Sequence, residues 1–181
     1  MNNNTFVHKY IKGLINNTDE VVDMTMGNGF DTLFLANISK FVYSFDINKQ
    51  ALENTYEKVK DKDNVKLILD NHNNIDKYLD HKVKLFLFNL GYLPNSDQAT
   101  ITNKDDTLVA FKKAYNLLED NGYIIITFYL GHKGGKDEYY LLDKYFKDNN
   151  INIIDKYRSF RHADEPITYI IKKFTSVHVN S

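Results

Sequence analysis

Short apolar runs of strand length alternate with segments of helical period along the whole chain, and four of those runs end on a polar residue that can do chemistry. Val21-Val22-Asp23-Met24 and Phe41-Val42-Tyr43-Ser44-Phe45 close on Asp23 and Asp46, Val65 to Leu69 closes on Asp70, and Leu85 to Phe88 runs into Asn89. A fifth run, Tyr123 to Tyr129, follows the turn Asn121-Gly122. Such β-branched and aromatic runs, apolar almost without interruption, suit strands buried on both faces of a parallel sheet. Between them, Asp31 to Ile38, Lys49 to Lys60 and Asp105 to Leu118 carry apolar residues three and four apart, the stripe of a helix lying on a sheet.

A helix over about Asn4 to Ile15 precedes the first strand, and another over about Asp137 to Phe146 follows the fifth. Two last strands, Ile151 to Ser159 and Ile167 to Phe174, have no helix between them and are expected to pair antiparallel. The order is helix, five strand–helix alternations and a closing hairpin: an α/β, doubly wound, mostly parallel seven-stranded sheet with an antiparallel C-terminal hairpin. A chain of 181 residues removes roughly 70% of its unfolded surface from water, enough for one core, so residues 1–181 read as one domain. Only Gly91 to Lys104 forms a long connection, and long connections in compact domains tend to carry function.

Composition narrows the chemistry. With 23 Lys and Arg against 24 Asp and Glu the net charge is −1, so any contact with nucleic acid has to come from a local basic face. With no cysteine, disulfides, thiolate zinc sites, iron–sulfur clusters and a cysteine nucleophile are excluded, and no metal site is expected. Met1 to Thr5 is polar and no apolar run approaches the roughly 18 to 20 residues of a membrane span, which points to a cytoplasmic protein away from membranes. The excess of Asn and Lys, with arginine only at Arg158 and Arg161, fits an AT-rich codon usage and carries no functional weight.

In open α/β sheets ligands bind beyond the carboxyl ends of the strands, where Asp23, Asp46, Asp70 and Asn89 line one edge. Gly27-Asn28-Gly29 follows the first strand, where the backbone must approach a ligand closely. Asp46 lies 17 residues beyond Gly29, placed to accept hydrogen bonds from both hydroxyls of a ribose. A dinucleotide fold asks for a third glycine where Thr32 stands, so a mononucleoside is favoured over NAD. Asn89-Leu90-Gly91-Tyr92-Leu93-Pro94 offers an amide oxygen and the Leu90 carbonyl as paired acceptors for an amine, with Tyr92 as a stacking surface. This is the logic of the Asn-Pro-Pro-Tyr segment of amino methyltransferases with the two middle residues changed.

The Asp23 to Gly29 segment with Asp31-Thr32, Phe45-Asp46-Ile47, Asn89 to Pro94, and Gly131-His132-Lys133-Gly134-Gly135 together resemble the small putative rRNA methylase family of Gram-positive bacteria. The resemblance spans nearly the whole chain, and the Asn89 to Pro94 segment is particular to that family. It implies a Rossmann-like class I methyltransferase fold and S-adenosyl-L-methionine as cofactor. It further implies methylation of the aminomethyl group of 5-aminomethyl-2-thiouridine at the tRNA wobble position. Cofactor contacts are then expected from Asp23, Thr25, Gly27, Asn28, Gly29, Asp31, Thr32, Asp46, Ile47, Asn48, Asp70, His72, Asn89 and Gly91. Catalysis is expected from Asn89, Tyr92 and His132, and substrate contacts from Tyr92, Lys133, Arg158, Arg161 and His162. Near its C-terminus this chain has Arg161 to Pro166 where the family carries a Pro-rich stretch, so the resemblance does not define the substrate-side contacts there.

Methyl transfer from a sulfonium to an amine is an in-line displacement that depends on positioning and desolvation. Asn89 is expected to orient the amine, and His132 or Asp97 is at hand to take its proton, without the sequence choosing between them. His72 is expected to border the adenine, and His8 reads as an ordinary helix residue. Tyr157, Phe160 and Tyr169 read as core ahead of stacking surface. Lys136, Lys172 and Lys173 join Arg158, Arg161 and His162 as candidates for a phosphate-binding face toward a tRNA anticodon region. The competing classes are a small-molecule or rRNA methyltransferase and a noncatalytic nucleoside-sensing RNA-binding module; a homodimer is compatible with each.

Overall fold

The computed structural model describes residues 2–91, 104–131, 133–158 and 165–175. In chain order its elements are α1 (Asn3–Ile11), β1 (Glu20–Asp23), α2 (Phe30–Ala36), β2 (Phe41–Asp46), α3 (Lys49–Val59) and β3 (Val65–Leu69). A 3-10 helix (His72–Lys77), β4 (Val83–Leu90), α4 (Lys104–Leu117), β5 (Leu118–Phe128), α5 (Gly135–Asp148), β6 (Ile153–Arg158) and β7 (Ile167–Lys172) complete them. The strands form one seven-stranded sheet in the order β3-β2-β1-β4-β5-β7-β6. Only β7 is reversed, pairing antiparallel with both β5 and β6.

Strand residues alternate between two cores, as the pleat requires. Phe86, Phe88, Ile124 and Ile126 face Phe111 of α4 and Phe146 of α5. Leu85, Leu87, Ile125 and Ile170 face Val7 and Ile11 of α1 and Leu35 of α2. β4 lies at the centre, and its Leu85, Phe86, Leu87 and Phe88 are completely buried.

Two elements differ from expectation. α1 stops at Ile11, after which the Gly13 and Leu14 N–H groups bond the Tyr10 and Ile11 carbonyls three residues back and tighten the chain into a turn. The third alternation has no α-helix: after β3 the chain makes only the 3-10 helix, started by Asn71 Oδ1 accepting from the Asn73 N–H at 3.0 Å. Asp70 accepts there from the Asn74 side-chain amide at 2.9 Å and the Tyr78 hydroxyl at 2.8 Å. Short Asn and Asp side chains compete with the backbone for hydrogen bonds, and a run of them favours a turn over a helix.

Because β2 and β4 flank β1 on opposite sides, the connection from β1 to β2 runs one way along the sheet and the one from β3 to β4 the other, and a crevice opens at the strand carboxyl ends. Asp23, Asp46 and Asn89 stand at that crevice.

Candidate active site

Asp23 ends β1 fully buried. Its Oδ1 accepts from the Thr25 N–H at 3.2 Å and its Oδ2 from the Thr32 hydroxyl at 2.7 Å, which also meets Ser44 Oγ at 2.8 Å. The position where a dinucleotide fold would place its third glycine is thus occupied by a hydroxyl that holds the β1 carboxylate. Burial, and then the neighbouring Asp31, push the Asp23 carboxyl up to about 7.

The turn after β1 needs its glycines. Gly29 sits at φ 78°, and a Cβ there would come 2.7 Å from Thr55 Cα of α3, so no other side chain fits without moving that helix. The turn is tied to β2 by the Gly27 N–H, which donates to Asp46 Oδ2 at 3.0 Å. Asp46 Oδ1 accepts from the Asn48 N–H at 2.9 Å, while Asn48 caps α3 by accepting from the Gln50 N–H. Each Asp46 oxygen keeps a second lone pair. Burial raises this carboxyl above the ordinary range. Ile47 follows with its side chain exposed, and Asn28 accepts from the Asn54 side-chain amide at 3.0 Å.

His72, buried at the start of the 3-10 helix, points Nδ1 at the Met24 carbonyl, 3.0 Å away. A carbonyl only accepts, so Nδ1 carries the proton, and burial lowers the pKa of the ring, keeping it neutral. Nε2 is then a bare acceptor, buried with no partner.

A second buried orphan lies on β4. The Asn89 N–H donates to Thr25 Oγ1 at 2.9 Å, and its side-chain Nδ2 donates to Asp31 Oδ2. The other Asp31 oxygen is held by His8 Nε2 of α1 at 2.6 Å. Asn89 Oδ1 has no partner. Beside it, Gly91 lets the Tyr129 ring lie against the backbone, since a Cβ at Gly91 would stand 3.3 Å from Tyr129 Cδ2. Burial and then Asp31 push the Tyr129 phenol up to about 12, so it stays protonated at neutral pH. The Leu90 carbonyl accepts from the Tyr129 N–H at 3.3 Å.

The structure therefore brings Asp23, Thr25, Gly27, Asn28, Gly29, Asp31, Thr32, Asp46, His72, Asn89 and Gly91 to one crevice. Asp70 stands aside, its carboxylate engaged with Asn71, Asn74 and Tyr78. Tyr92, His132, Arg161, His162, Asp97 and Phe160 lie outside the described residues. Arg158 ends β6 opposite Ile167, which in turn faces Phe128 at the end of β5, so it belongs to the crevice edge. Lys172 and Lys173 do not. Lys172 pairs with Tyr123 of β5, level with Val21 near the start of β1, and Lys173 Nζ donates to the Tyr115 and Leu118 carbonyls, at the opposite edge of the sheet. Reversal of β7 carries its C-terminus away from the site, which alternation along a strand does not reveal. Tyr169 is core, and Tyr157 stacks on Phe6 with ring centroids 4.0 Å apart.

His8 and Tyr129 are the site residues that sequence reasoning passed over. Tyr129 carried a usable signal, since it is the polar residue closing the fifth apolar run. His8 carried none, because only the fold sets α1 against the end of β4.

The sheet order, the glycine turn between β1 and α2 and the acidic residue closing β2 define a class I methyltransferase. The chain belongs to the Putative rRNA methylase family, whose model matches residues 42–172. A putative rRNA-methylase from Clostridium thermocellum is 38% identical and superposes with a TM-score of 0.88 over 96% of this chain and 98% of that one. A putative methyltransferase from Streptococcus mutans, solved in complex with SAH, is 33% identical with a TM-score of 0.87, covering 96% and 99%. The chloroplastic tRNA (mnm(5)s(2)U34)-methyltransferase of Arabidopsis thaliana is 35% identical over 147 residues, 72% of this chain and 54% of that protein. The chain thus spans about half the length of that curated relative. Among the described residues no helix is long and apolar enough to cross a membrane.

Proposed function

We propose that this chain is a single-domain, cytoplasmic N-methyltransferase using S-adenosyl-L-methionine. Its substrate on this reading is the aminomethyl group of 5-aminomethyl-2-thiouridine at the tRNA wobble position, which becomes the methylaminomethyl group. The observation that carries the reading is the buried, unpartnered Asn89 Oδ1. Leaving such an acceptor unsatisfied costs about 1 to 3 kcal/mol, and an N–H donor recovers that cost. An amine is such a donor; a phosphate or carboxylate is not. The Arabidopsis relative named above supports the choice of amine.

The crevice fits the cofactor on its own residues. Asp46 has two free lone pairs for the ribose hydroxyls, and the orphaned His72 Nε2 suits the exocyclic amine of an adenine. Asp23 suits the ammonium of the cofactor's amino-acid end. When bound, the cofactor supplies an electrophilic methyl on a sulfonium.

Asn89 Oδ1 then accepts one N–H of the substrate amine and fixes the direction of the nitrogen lone pair. A hydrogen bond to an amide oxygen does not remove a proton, so the amine reacts only after losing its ammonium proton to another group. Aligning the lone pair belongs to the transition state, and Asn89→Ala is expected to lower turnover roughly 10²-fold, as for loss of one contact contributing about 3 kcal/mol. Cofactor affinity changes little. Single-turnover methylation of hypomodified tRNA, with nucleosides read by mass spectrometry and cofactor binding by calorimetry, tests both halves. Near wild-type rates in Asn89→Ala defeat the assignment.

A further inference from the structure

His8 does not belong to the glycine turn or to any strand end, yet it reaches the reacting side of the crevice. We infer that His8 is a positioning residue of the methyl-acceptor site: through Asp31 it holds the Asn89 amide with Oδ1 turned toward the substrate amine. This rests on the amine-methylation reading above.

The argument is one of donors and acceptors. The oxygens of a carboxylate are acceptors, so both groups that meet Asp31 donate to it. Asn89 therefore presents Nδ2 to Asp31 Oδ2, and His8 presents Nε2–H to Asp31 Oδ1 at 2.6 Å. Rotating the Asn89 amide by half a turn would set Oδ1 against a carboxylate and Nδ2 toward the substrate. An amine could still receive a hydrogen bond from that Nδ2, but through the very lone pair that has to attack the methyl group. The orientation of one amide thus separates a productive amine pose from an inhibitory one. Asp31 sets the orientation, and His8 sets Asp31.

The clamp is rigid on the His8 side. The imidazole stacks on Phe34 with ring centroids 3.8 Å apart and planes 2° from parallel. α1 is itself anchored over the site edge by buried Val7 and Ile11. Near its start, Asn3 Oδ1 accepts from the Thr168 hydroxyl at 2.8 Å, and Thr168 and Thr127 share a hydrogen bond at 2.9 Å. Thr127 is the register partner of Asn89, so the two ends of the arrangement share one pair of strands. With Nε2–H committed to Asp31, the ring has the Nε2-protonated tautomer whenever it is neutral.

Two substitutions separate the donor from the ring. His8→Leu keeps apolar bulk against Phe34 and removes the N–H; His8→Gln loses the stacking and keeps an N–H of similar reach. Steady-state kinetics on hypomodified tRNA should show kcat about tenfold lower in His8→Leu, with KM and cofactor affinity within about twofold, and His8→Gln restored to within about threefold of wild type. A purely structural His8 predicts the reverse order or an equal loss in both, and either result overturns the proposal, as does wild-type kcat in His8→Leu. A second measurement does not depend on turnover. In ¹⁵N–¹H spectra the Asn89 side-chain amide of the wild type should be protected from exchange and held in one orientation, and should lose that protection in His8→Leu but not in His8→Gln. Should the wild-type protein leave aminomethyl uridine unmethylated, the function proposed above fails, while unchanged Asn89 amide signals in His8→Leu overturn the role of His8 by themselves.

Discussion

Asp23, Asp31 and Asp46 share one crevice and differ in what their oxygens already do. Asp46 is half-buried and accepts two backbone N–H groups, so its carboxylate shapes the turn as well as the ligand site. Asp46→Ala should weaken cofactor binding by about 2 to 4 kcal/mol, the worth of two partly compensated hydrogen bonds to a charged group, in a calorimetric titration of a protein shown to be folded. Unchanged affinity removes Asp46 from the ribose site. Asp23 behaves differently because burial raises its carboxyl to about 7. Between an ordinary carboxylate pKa and that value the folded state holds a proton that the unfolded chain has released. The number of bound protons is then smaller in the unfolded state, so Asp23 makes stability fall as pH rises through this window, by up to about 1.4 kcal/mol per pH unit. Asp23→Asn can keep both local hydrogen bonds, its Oδ1 accepting from Thr25 and its amide donating to Thr32, which turns its own hydrogen to Ser44. Denaturant titrations from pH 4 to pH 8 should show that variant losing less stability than wild type as pH rises, with weaker cofactor binding. Parallel stability curves for the two proteins refute the assignment.

At the scale of elements, the glycine turn joins β1 to α2 and presses on α3. Gly29→Ala places a methyl 2.7 Å from Thr55 Cα in a backbone conformation at φ 78° that disfavours L side chains. The expected result is a loss of about 1 to 3 kcal/mol of stability together with weaker cofactor binding, since the turn carrying Gly27 moves with it. Equal melting temperatures for the two proteins contradict this reading of the turn. That turn, the strand-closing Asp23, Asp46 and Asn89, and the reversed last strand were all legible in the sequence, because each is a local pattern: a polar residue after an apolar run, two glycines after a strand, two strands with no helix between. The missing third helix was less legible, since His72 to Lys77 has too few apolar residues to show a period and the competition from Asn71 and Asp70 side chains decides the outcome. His8 was not legible at all. Its partner Asp31 is 23 residues away, and only the packing of Val7 and Ile11 under the sheet brings the two together.

For the whole molecule, a net charge of −1 leaves any attraction to tRNA to the placement of charges around the sheet. The fold separates basic residues that lie close together in sequence. Arg158 at the end of β6, with Lys133 and Lys136 after β5, stands at the crevice edge, whereas Lys172 at the end of reversed β7 stands at the far edge beside Tyr123. Phosphates of an anticodon stem presenting its wobble base to Asn89 can meet the first group and not the second. Each phosphate neutralised by a basic side chain releases bound counterions, and log affinity then falls against log salt with a slope of about −0.7 to −0.9 per contact. Binding of hypomodified tRNA, measured by fluorescence anisotropy across a salt series, should therefore show Arg158→Ala with a slope shallower by about one contact and Lys172→Ala with the wild-type slope. Loss of slope in both variants would place the tRNA across the molecule instead of at the crevice edge. A wild-type affinity indifferent to salt would remove phosphate contacts altogether and turn the amine-binding crevice toward a small-molecule substrate.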